Sequence, residues 1–363
     1  RDKLVTGVQT CALPIFAREV VPWLAVVFWI AVVLFVLVEL VSSDFGAAVQ
    51  GFIQGAFGGR RLAYLMTTLS RAALITGMAL SVMLSFRAGL FNIGGEGQLV
   101  AGGLVAALVA VLVPGPPLLI LALSILAAMA AGAAWALLAG ALQLYVGVPL
   151  LVGSLLLNYP IRYIASYLVA HPYRDVASGM VQSHLVPQAT WLPYFPGTRL
   201  DIGILFIVVA AIFAVAYSHT TVHGYQSRMN GLSPDFARTV GLPVNRLALQ
   251  TLAMSGAIAG LVGAIAVFGI HHRYIDGMLV QPLYAWTGII AVLLVGMIPW
   301  LVPISGFFFA AIQTGAAGME RTAGVPKEIA LVVQAVIILL VASRVSGALL
   351  SSSDRKAGGG GDA

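Results

Sequence analysis

The chain has 363 residues, of which 60% are hydrophobic and only 9% are charged. Soluble domains carry roughly 25% charged residues, so this composition excludes a soluble protein and indicates a polytopic α-helical membrane protein. The formal net charge of +6 comes from 19 scattered lysines and arginines, without the basic stripe that nucleic-acid binding uses. The single cysteine, Cys11, excludes an internal disulfide.

The first fifteen residues, Arg1–Ile15, differ from the rest of the chain. They lack an initiator methionine and the ordered regions of a signal peptide, and they resemble translated sequencing-adapter read-through. We therefore expect 1–15 to be a non-native segment and 16–350 to form the transmembrane domain. Residues 351–363 are expected to be a disordered cytoplasmic tail.

Apolar runs predict the membrane spans, because a helix needs about 20 apolar residues to cross about 30 Å of hydrocarbon. The predicted spans number ten, at 20–41, 67–87, 97–113, 117–144, 148–170, 201–218, 247–270, 284–300, 301–319 and 328–347. Small residues at Gly256, Gly260 and Gly263, and along Gly132–Gly140, predict faces on which helices pack closely.

Cations in the connections predict the orientation. The connection 219–246 holds three arginines against one acid, and the tail after residue 347 holds two more cations. These cations are Arg228, Arg238, Arg246, Arg355 and Lys356. Placing both segments in the cytoplasm puts the N-terminus there too and the loop 171–200 outside.

The chain has no ATPase motif of its own. A P-loop requires the pattern GxxxxGK[ST], and none of the lysines, Lys3, Lys327 and Lys356, completes it. Any ATP-driven role therefore needs an ATPase on another chain.

Other ionisable candidates near the spans are few. Glu39 ends the first span, and Arg71 begins the second and can extend towards the surface. His271 and His272 follow the seventh span, but adjacent residues do not share a helix face, which makes a metal site a weak interpretation. No catalytic set is recognisable.

The stretch Phe86–Gly103, FRAGLFNIGGEGQLVAGG, combines polar residues with glycines at a membrane boundary. A membrane helix tolerates Asn92, Glu96 and Gln98 where its backbone is broken or faces protein and water. Glycine permits such a turn. A cytoplasmic loop between two spans is the alternative, and the pattern alone does not decide between them.

The stretch Thr221–Leu247 is the only long cytoplasmic connection predicted. Ser233 is the expected N-cap of a short helix, with Pro234 at its first position and Asp235 in its first turn. Gly241 and Pro243 are expected to end it. Such a helix fits a groove on a partner, and a solvated connector is the alternative.

Three runs carry a resemblance to a known family that covers about residues 20–347. GLFNIGGEGQ at 89–98 resembles the signature of permeases in nucleoside and simple-sugar ABC importers, part of a superfamily with ribose-type and branched-chain amino-acid permeases. LLLNY at 155–159 is similar to a second family motif, although Pro160 departs from it.

The third run, from residue 224, is similar to the family's cytoplasmic coupling segment, GxxxRxxGxNPxAAxxxGI. The matching residues are Gly224, Arg228, Gly231, Pro234, Ala237 and Gly241. Ser233 stands where the family usually has Asn, Phe236 replaces the first Ala, and Pro243 follows where a continuous helix often begins.

The resemblance implies an all-α, type II-like importer permease of about ten spans in the bacterial plasma membrane. Two permease subunits, identical or paralogous, form the pathway, and a separate ATPase subunit powers it. An external substrate-binding lipoprotein delivers the solute. ATP binds the partner ATPase, so the resemblance implies no cofactor and no enzymatic activity in this chain.

The resemblance also implies two sets of site residues. Contact with the ATPase is expected at Arg228, Gly231, Ser233, Pro234, Asp235, Phe236, Ala237, Arg238 and Gly241. The substrate pathway is expected at Asn92, Glu96, Gln98 and Asn158, whose alternative role is to hold a broken helix in shape. The outer loop 171–200, with Tyr173, Trp191, Tyr194 and Phe195, is either a docking surface for the lipoprotein or a set of interfacial aromatics.

The NIGGEGQ form favours nucleosides or related ribosyl compounds, followed by simple sugars and then branched-chain amino acids. An ATP-independent carrier or channel is the hypothesis from another class. It accounts equally well for the missing P-loop but gives no reason for a coupling-like segment.

Overall fold

The computed structural model describes residues 44–59 and 62–337, together with residues 32, 35, 36 and 39. This part of the chain is helical, with isolated β-bridges and no strand. The helices are α1 Phe45–Phe57, α2 Ala63–Arg87, α3 Gly95–Leu112, α4 Pro117–Ala141, α5 Leu150–Ala170, α6 Gly203–Thr220, α7 Val222–Leu232, α8 Pro234–Thr239, α9 Val244–Ile265, α10 Tyr284–Leu294 and α11 Val302–Ala323. Residues 329–337 are also helical. The all-α prediction is confirmed.

Six helices of the described part are long and apolar enough to cross a membrane. They are Ala63–Arg87, Gly95–Leu112, Pro117–Val146, Gly203–Thr220, Val244–His271 and Pro299–Ala323, of which two include a π-helical end. Each agrees with a predicted span to within a few residues. The predicted total of about ten is not confirmed. The segments 1–15 and 351–363, most of the span 20–41 and the second half of the span 328–347 lie outside the described residues.

The predicted span 284–300 is not confirmed, because its helix stops early. α10 has 11 residues, a length of about 16 Å at 1.5 Å per residue. Gly296 and Met297 both have φ of +61°, and Pro299 then begins a separate 3₁₀ turn. A left-handed pair followed by proline interrupts the helical hydrogen bonds.

Helix α5 occupies the predicted span 148–170. Its 21 residues are long enough to cross the hydrocarbon, but it does not reach the hydropathy of the six. Asn158, Pro160 and Arg162 near its middle account for this, and two of them belong to the site described below.

The chain divides into two compact units, one of residues 1–55 with 315–363 and one of residues 56–314. In the larger unit, α3, α4 and α9 make the most extensive mutual contacts. Gly256 lies against the backbone of Gly132, and Gly260 lies against the backbones of Ala128 and Gly102. A β-carbon at these glycines would overlap the neighbouring chain. The prediction of closely packed glycine faces is therefore confirmed.

In the smaller unit, described residues of α1 and α11 also pack through glycine. Gly318 lies against the backbone of Gly51 and Gly55, and Gly315 lies against the ring of Phe52. Thr322 donates a hydrogen bond to the carbonyl of Ala47 at 3.4 Å. The sequence had not indicated α1 as a separate element.

Helix α6 separates two ends of the larger unit. The loop 171–200 lies at its first end, where Ser183 N–H donates to the Tyr274 carbonyl at 2.8 Å and Val186 N–H donates to the His272 carbonyl at 2.9 Å. α7 and α8 follow its other end. The two loops therefore lie at opposite ends of a membrane-length helix, as the predicted topology requires.

Candidate functional site

The stretch between α2 and α3 breaks the helical backbone inside the protein. α2 ends at Arg87, α3 begins at Gly95, and Asn92 and 94–98 are buried. Gly89 has φ of +75°, a left-handed conformation that glycine adopts without strain. Burial of Asn92 and 94–98 favours a break inside the protein over a solvated cytoplasmic loop.

Two side chains of α5 satisfy the backbone groups that this break leaves open. Ser154 Oγ accepts a hydrogen bond from Ile93 N–H at 3.1 Å, and Asn158 Oδ1 accepts one from Gly97 N–H at 2.8 Å. The Asn158 amide nitrogen donates to the Ile93 carbonyl at 3.3 Å. Gly94 at the N-cap of α3 has no side chain to accept. Asn158 therefore acts as the N-cap from a neighbouring helix.

Asn92 and Gln98 are paired within the same break. Asn92 Oδ1 accepts from the backbone N–H of Gly94 at 3.0 Å and from Gln98 Nε2 at 3.2 Å. Gln98 Oε1 is buried and has no hydrogen-bond partner among the described residues. Asn92, Gln98 and Asn158 are each at most 4% exposed. Their contacts match the alternative role of holding a broken helix in shape, and their role in a pathway stays a prediction.

Glu96 differs from these three because its carboxylate meets a charge. Its side chain is 8% exposed, and Oε1 lies 3.4 Å from an Arg162 guanidinium nitrogen of α5. Trp286 Nε1 of α10 donates to Oε2 at 3.2 Å. The Arg162 guanidinium also lies 5.9 Å from the centre of the Tyr159 ring. The buried acid is therefore held by a cation and an indole donor from two other helices.

Sequence reasoning missed Arg162 and Trp286. Arg162 lies near the middle of the predicted span 148–170, and an ionisable residue at membrane depth is itself a signal of function. For Trp286 no pattern in the sequence indicates the contact. Only the packing of α10 brings its indole to Glu96.

The predicted coupling segment forms two short capped helices. Thr221 Oγ1 accepts from Gly224 N–H at 3.0 Å and caps α7. Ser233 Oγ accepts from Phe236 N–H at 3.4 Å and caps α8, with proline at the first position. Gly241, with φ of +79°, follows the end of α8. The predicted short helix, its cap and its stop are confirmed.

Most of the predicted coupling residues are at the surface. Arg228, Ser233, Pro234, Asp235, Phe236, Arg238 and Gly241 are exposed, Gly231 is half-buried and Ala237 is buried. Phe236 exposes half of its surface, and Asp235 and Arg238 form an ion pair at 3.4 Å. An exposed ring beside opposite charges suits a docking helix, although the contact itself stays a prediction.

The coupling segment lies against the break between α2 and α3. Gly231 of α7 approaches the Arg87 carbonyl and Gly89, where a β-carbon on Gly231 would lie 2.7 Å from Gly89 N. The Asn230 amide donates to the Ala88 carbonyl at 3.4 Å. The structure thus brings together the two stretches that stand out in the sequence.

At the other end, aromatic residues of the loop 171–200 pack on the end of the seventh predicted span. Trp191 stacks on His272 with ring centres 3.8 Å apart, and the Tyr194 hydroxyl lies 3.3 Å from His272 Nε2. Tyr194 is 46% exposed, whereas Tyr173, Trp191 and Phe195 are half-buried. Burial lowers the pKa of His272. The histidine therefore has a structural role in anchoring the loop.

The other ionisable candidates of the sequence lie apart from one another in the described part of the chain. Among the described residues no three of His, Cys, Asp and Glu lie close enough to hold an ion. Glu39 is an exposed helical residue. Arg71 lies 3.5 Å from Gln313 Oε1, and Gln313 Nε2 donates to Thr287 at 3.1 Å. Arg71 thus contacts the protein interior rather than extending freely to the surface.

The chain is similar to known transport permeases. The chain matches, over residues 64–342, the family described as "Branched-chain amino acid transport system / permease component". The matched range contains every predicted site residue. No solved structure gives a significant match.

Three curated relatives cover most of the chain. It is 28% identical over 312 residues to the guanosine ABC transporter permease NupP of Bacillus subtilis, covering 85% of this chain and 88% of the relative. It is 25% identical over 336 residues to the nucleoside ABC transporter permease NupB of Lactococcus lactis, covering 90% and 91%. It is 31% identical over 286 residues to the glucose ABC transporter permease TsgB13 of Haloferax volcanii, covering 76% and 75%.

Proposed function

This chain belongs to the family of branched-chain amino acid transport system permease components, and on that premise we propose that it carries nucleosides as the membrane-spanning subunit of an ABC importer. Two relatives that span most of the chain are named for guanosine and for nucleosides, and the run at 89–98 resembles the nucleoside-type signature. Simple sugars are the second candidate, because another relative is named for glucose.

The observation that carries the proposal is the exposed helix α8, joined through Gly231 to the break between α2 and α3. A partner that moves α8 would transmit that motion directly to a buried part of the membrane bundle. Alternating access needs such a connection between the ATPase and the spans. We propose that the nine coupling residues, from Arg228 to Gly241, contact the ATPase.

The remaining assignments follow from this one. α7 and α8 would face the cytoplasm, and the loop 171–200 would face the binding lipoprotein. ATP would bind the ATPase subunit alone, and a second permease subunit would complete the pathway.

Asn92, Gln98 and Asn158 would shape the broken helix beside the pathway. Glu96 would act on the pathway through Arg162, with which it forms an ion pair. Solute selectivity measured across Asn158 variants separates a pathway role from a structural one.

The test uses the complex of this chain with its ATPase, second permease and lipoprotein in proteoliposomes. We expect ATP-dependent uptake of uridine. Pro234→Arg and deletion of residues 233–239 should abolish uptake while membrane insertion persists. Val222→Arg is the matched control, because Val222 is 71% exposed at the same end and lies outside α8. Unchanged uptake in both α8 variants would contradict the coupling assignment.

An ATP-independent carrier is the competing function. It predicts that the purified chain, alone in liposomes, moves solute down a gradient. We expect no such flux. A family relationship to transport permeases and an exposed capped helix favour the importer.

A further inference from the structure

The position of Arg162 points to contact with protein or water rather than lipid. It lies near the middle of α5, and its side chain is 42% exposed on the surface of the larger unit. An exposed guanidinium at membrane depth is costly in hydrocarbon and is found against protein or water. Tyr159 and Tyr163 beside it are 51% and 73% exposed. This face of α5 therefore lines a wet pathway or meets a second subunit.

A cavity opens beside Arg162, between the outer half of α5 and the segment that precedes α10. Its volume is 330 Å³, within the range of about 300–1,000 Å³ that small-molecule sites occupy. Its polar and aromatic lining includes Tyr159, Arg162, Tyr163, Ser166, Asp276 and Gln281. It thus combines aromatic rings with a cation, a carboxylate and an amide.

The polar groups of the cavity are partly held and partly free to bind. Arg162 is oriented by its ion pair with Glu96. Asp276 is oriented by Ser166, whose hydroxyl donates to Asp276 Oδ2 at 3.2 Å. Asp276 and Gln281 are exposed. A carboxylate with free lone pairs accepts from hydroxyl groups, and an amide both donates and accepts.

We propose that this cavity is one wall of the solute site in the membrane and takes a neutral solute with a flat heteroaromatic ring and neighbouring hydroxyl groups. Tyr159 and Tyr163 stack on the ring, Arg162 and Gln281 bond its polar edge, and Asp276 accepts from the hydroxyls. The inference rests on the proposed nucleoside importer. Of the cavity residues named, only Tyr159 lies in a run that carries the family resemblance.

The test measures uridine uptake and uridine binding by the full importer complex. Tyr159→Leu and Asp276→Asn should each raise the KM for uptake about tenfold, the effect of losing one stacking or charged contact. Arg162→Lys, which keeps the charge but loses the planar fork, should shift uridine affinity in the same direction. The matched control is Tyr167→Leu, because Tyr167 is 62% exposed on the same helix but lies outside the cavity, where its ring contacts that of His171 with centres 4.9 Å apart.

The outcomes separate the site from the function. If the wild-type complex transports glucose and not uridine, the proposed solute class is wrong. If it transports uridine and the cavity variants behave like Tyr167→Leu, the solute site is wrong while the importer stands. If the cavity variants instead dissociate the two permeases in size-exclusion chromatography, the face is a subunit interface and the solute site is again overturned.

Discussion

Gly231 lies so close to Gly89 that neither residue has room for a β-carbon. One placed on Gly89 would lie 2.9 Å from Gly231 Cα, and one on Gly231 would lie 2.7 Å from Gly89 N. Real β-carbons do not approach atoms this closely. The contact joins the exposed coupling segment to the buried break of the membrane bundle through two backbones, which deform less than long side chains.

Gly231→Ala should therefore weaken the connection between α7 and the break. Overpacking of this kind costs about 1–3 kcal/mol, and we expect uptake to fall more than ATP hydrolysis, because the two become uncoupled. Both rates are measured in the reconstituted complex. Gly179→Ala is the control, since no atom lies within 4 Å of the added carbon. Equal loss of both activities would argue against a coupling role.

Asn158→Leu should lower the thermal stability of the protein. It leaves the Gly97 N–H and the Ile93 carbonyl without their bonds, and a buried unpaired group costs about 1–3 kcal/mol. Asn158→Asp keeps the acceptor for Gly97 and should retain more of the stability. The melting temperature in detergent measures both. If Asn158→Leu melts like the wild type, the cap supplied by α5 does not hold the break.

Replacing both residues of the Glu96–Arg162 pair should cost less stability than replacing Arg162 alone. Arg162→Met leaves a buried carboxylate with only the Trp286 donor, whereas Glu96→Gln combined with Arg162→Met removes the charge as well. We expect the double variant to be more stable than Arg162→Met, by about 1–3 kcal/mol. Melting curves of the two variants decide. A double variant that is less stable than Arg162→Met would contradict the cost assigned to the unpaired buried carboxylate.

The outer loop should loosen as the pH falls below about 6.5. Burial holds the pKa of His272 below its ordinary value of 6.5, so folding disfavours the protonated ring. The stability that the neutral ring contributes is present above that pH and is lost as the pH falls. Loss of the Trp191 stack should change the fluorescence of Trp191 and lower the melting temperature.

His272→Phe keeps an aromatic ring and should flatten this pH dependence. Asp201 acts with the opposite sign. Burial raises the pKa of this carboxyl above 3.8, so its contribution to stability falls as the pH rises from 3.8 through the folded pKa. The Asp201 carboxylate also favours the protonated His272 ring, so Asp201→Asn should keep the loss of stability below pH 6.5 and make it larger. Trp191 fluorescence that still changes below pH 6.5 in His272→Phe would contradict the assignment.

Features set by neighbouring residues could be predicted from the sequence. The low charge content indicated that lipid surrounds the protein, since a chain with 9% charged residues cannot cover a soluble surface with charge. Runs of about 20 apolar residues located the long helices. Ser233, Pro234 and Gly241 located the start and end of α8, because capping is a contact within one turn. The helix predicted over 284–300 ends early, because hydropathy does not register the left-handed pair at Gly296 and Met297.

Only the tertiary structure decided which side chains meet. The sequence marked Glu96 as an unusual acid, but its partners Arg162 and Trp286 come from two other helices. Asn158 looked like a pathway residue, and its position beside Gly97 makes it a cap for a neighbouring helix. The approach of Gly231 to Gly89 depends on how α7 packs against the end of α2. Such contacts join distant parts of the chain, and local patterns carry no information on them because packing of the whole bundle sets the distances.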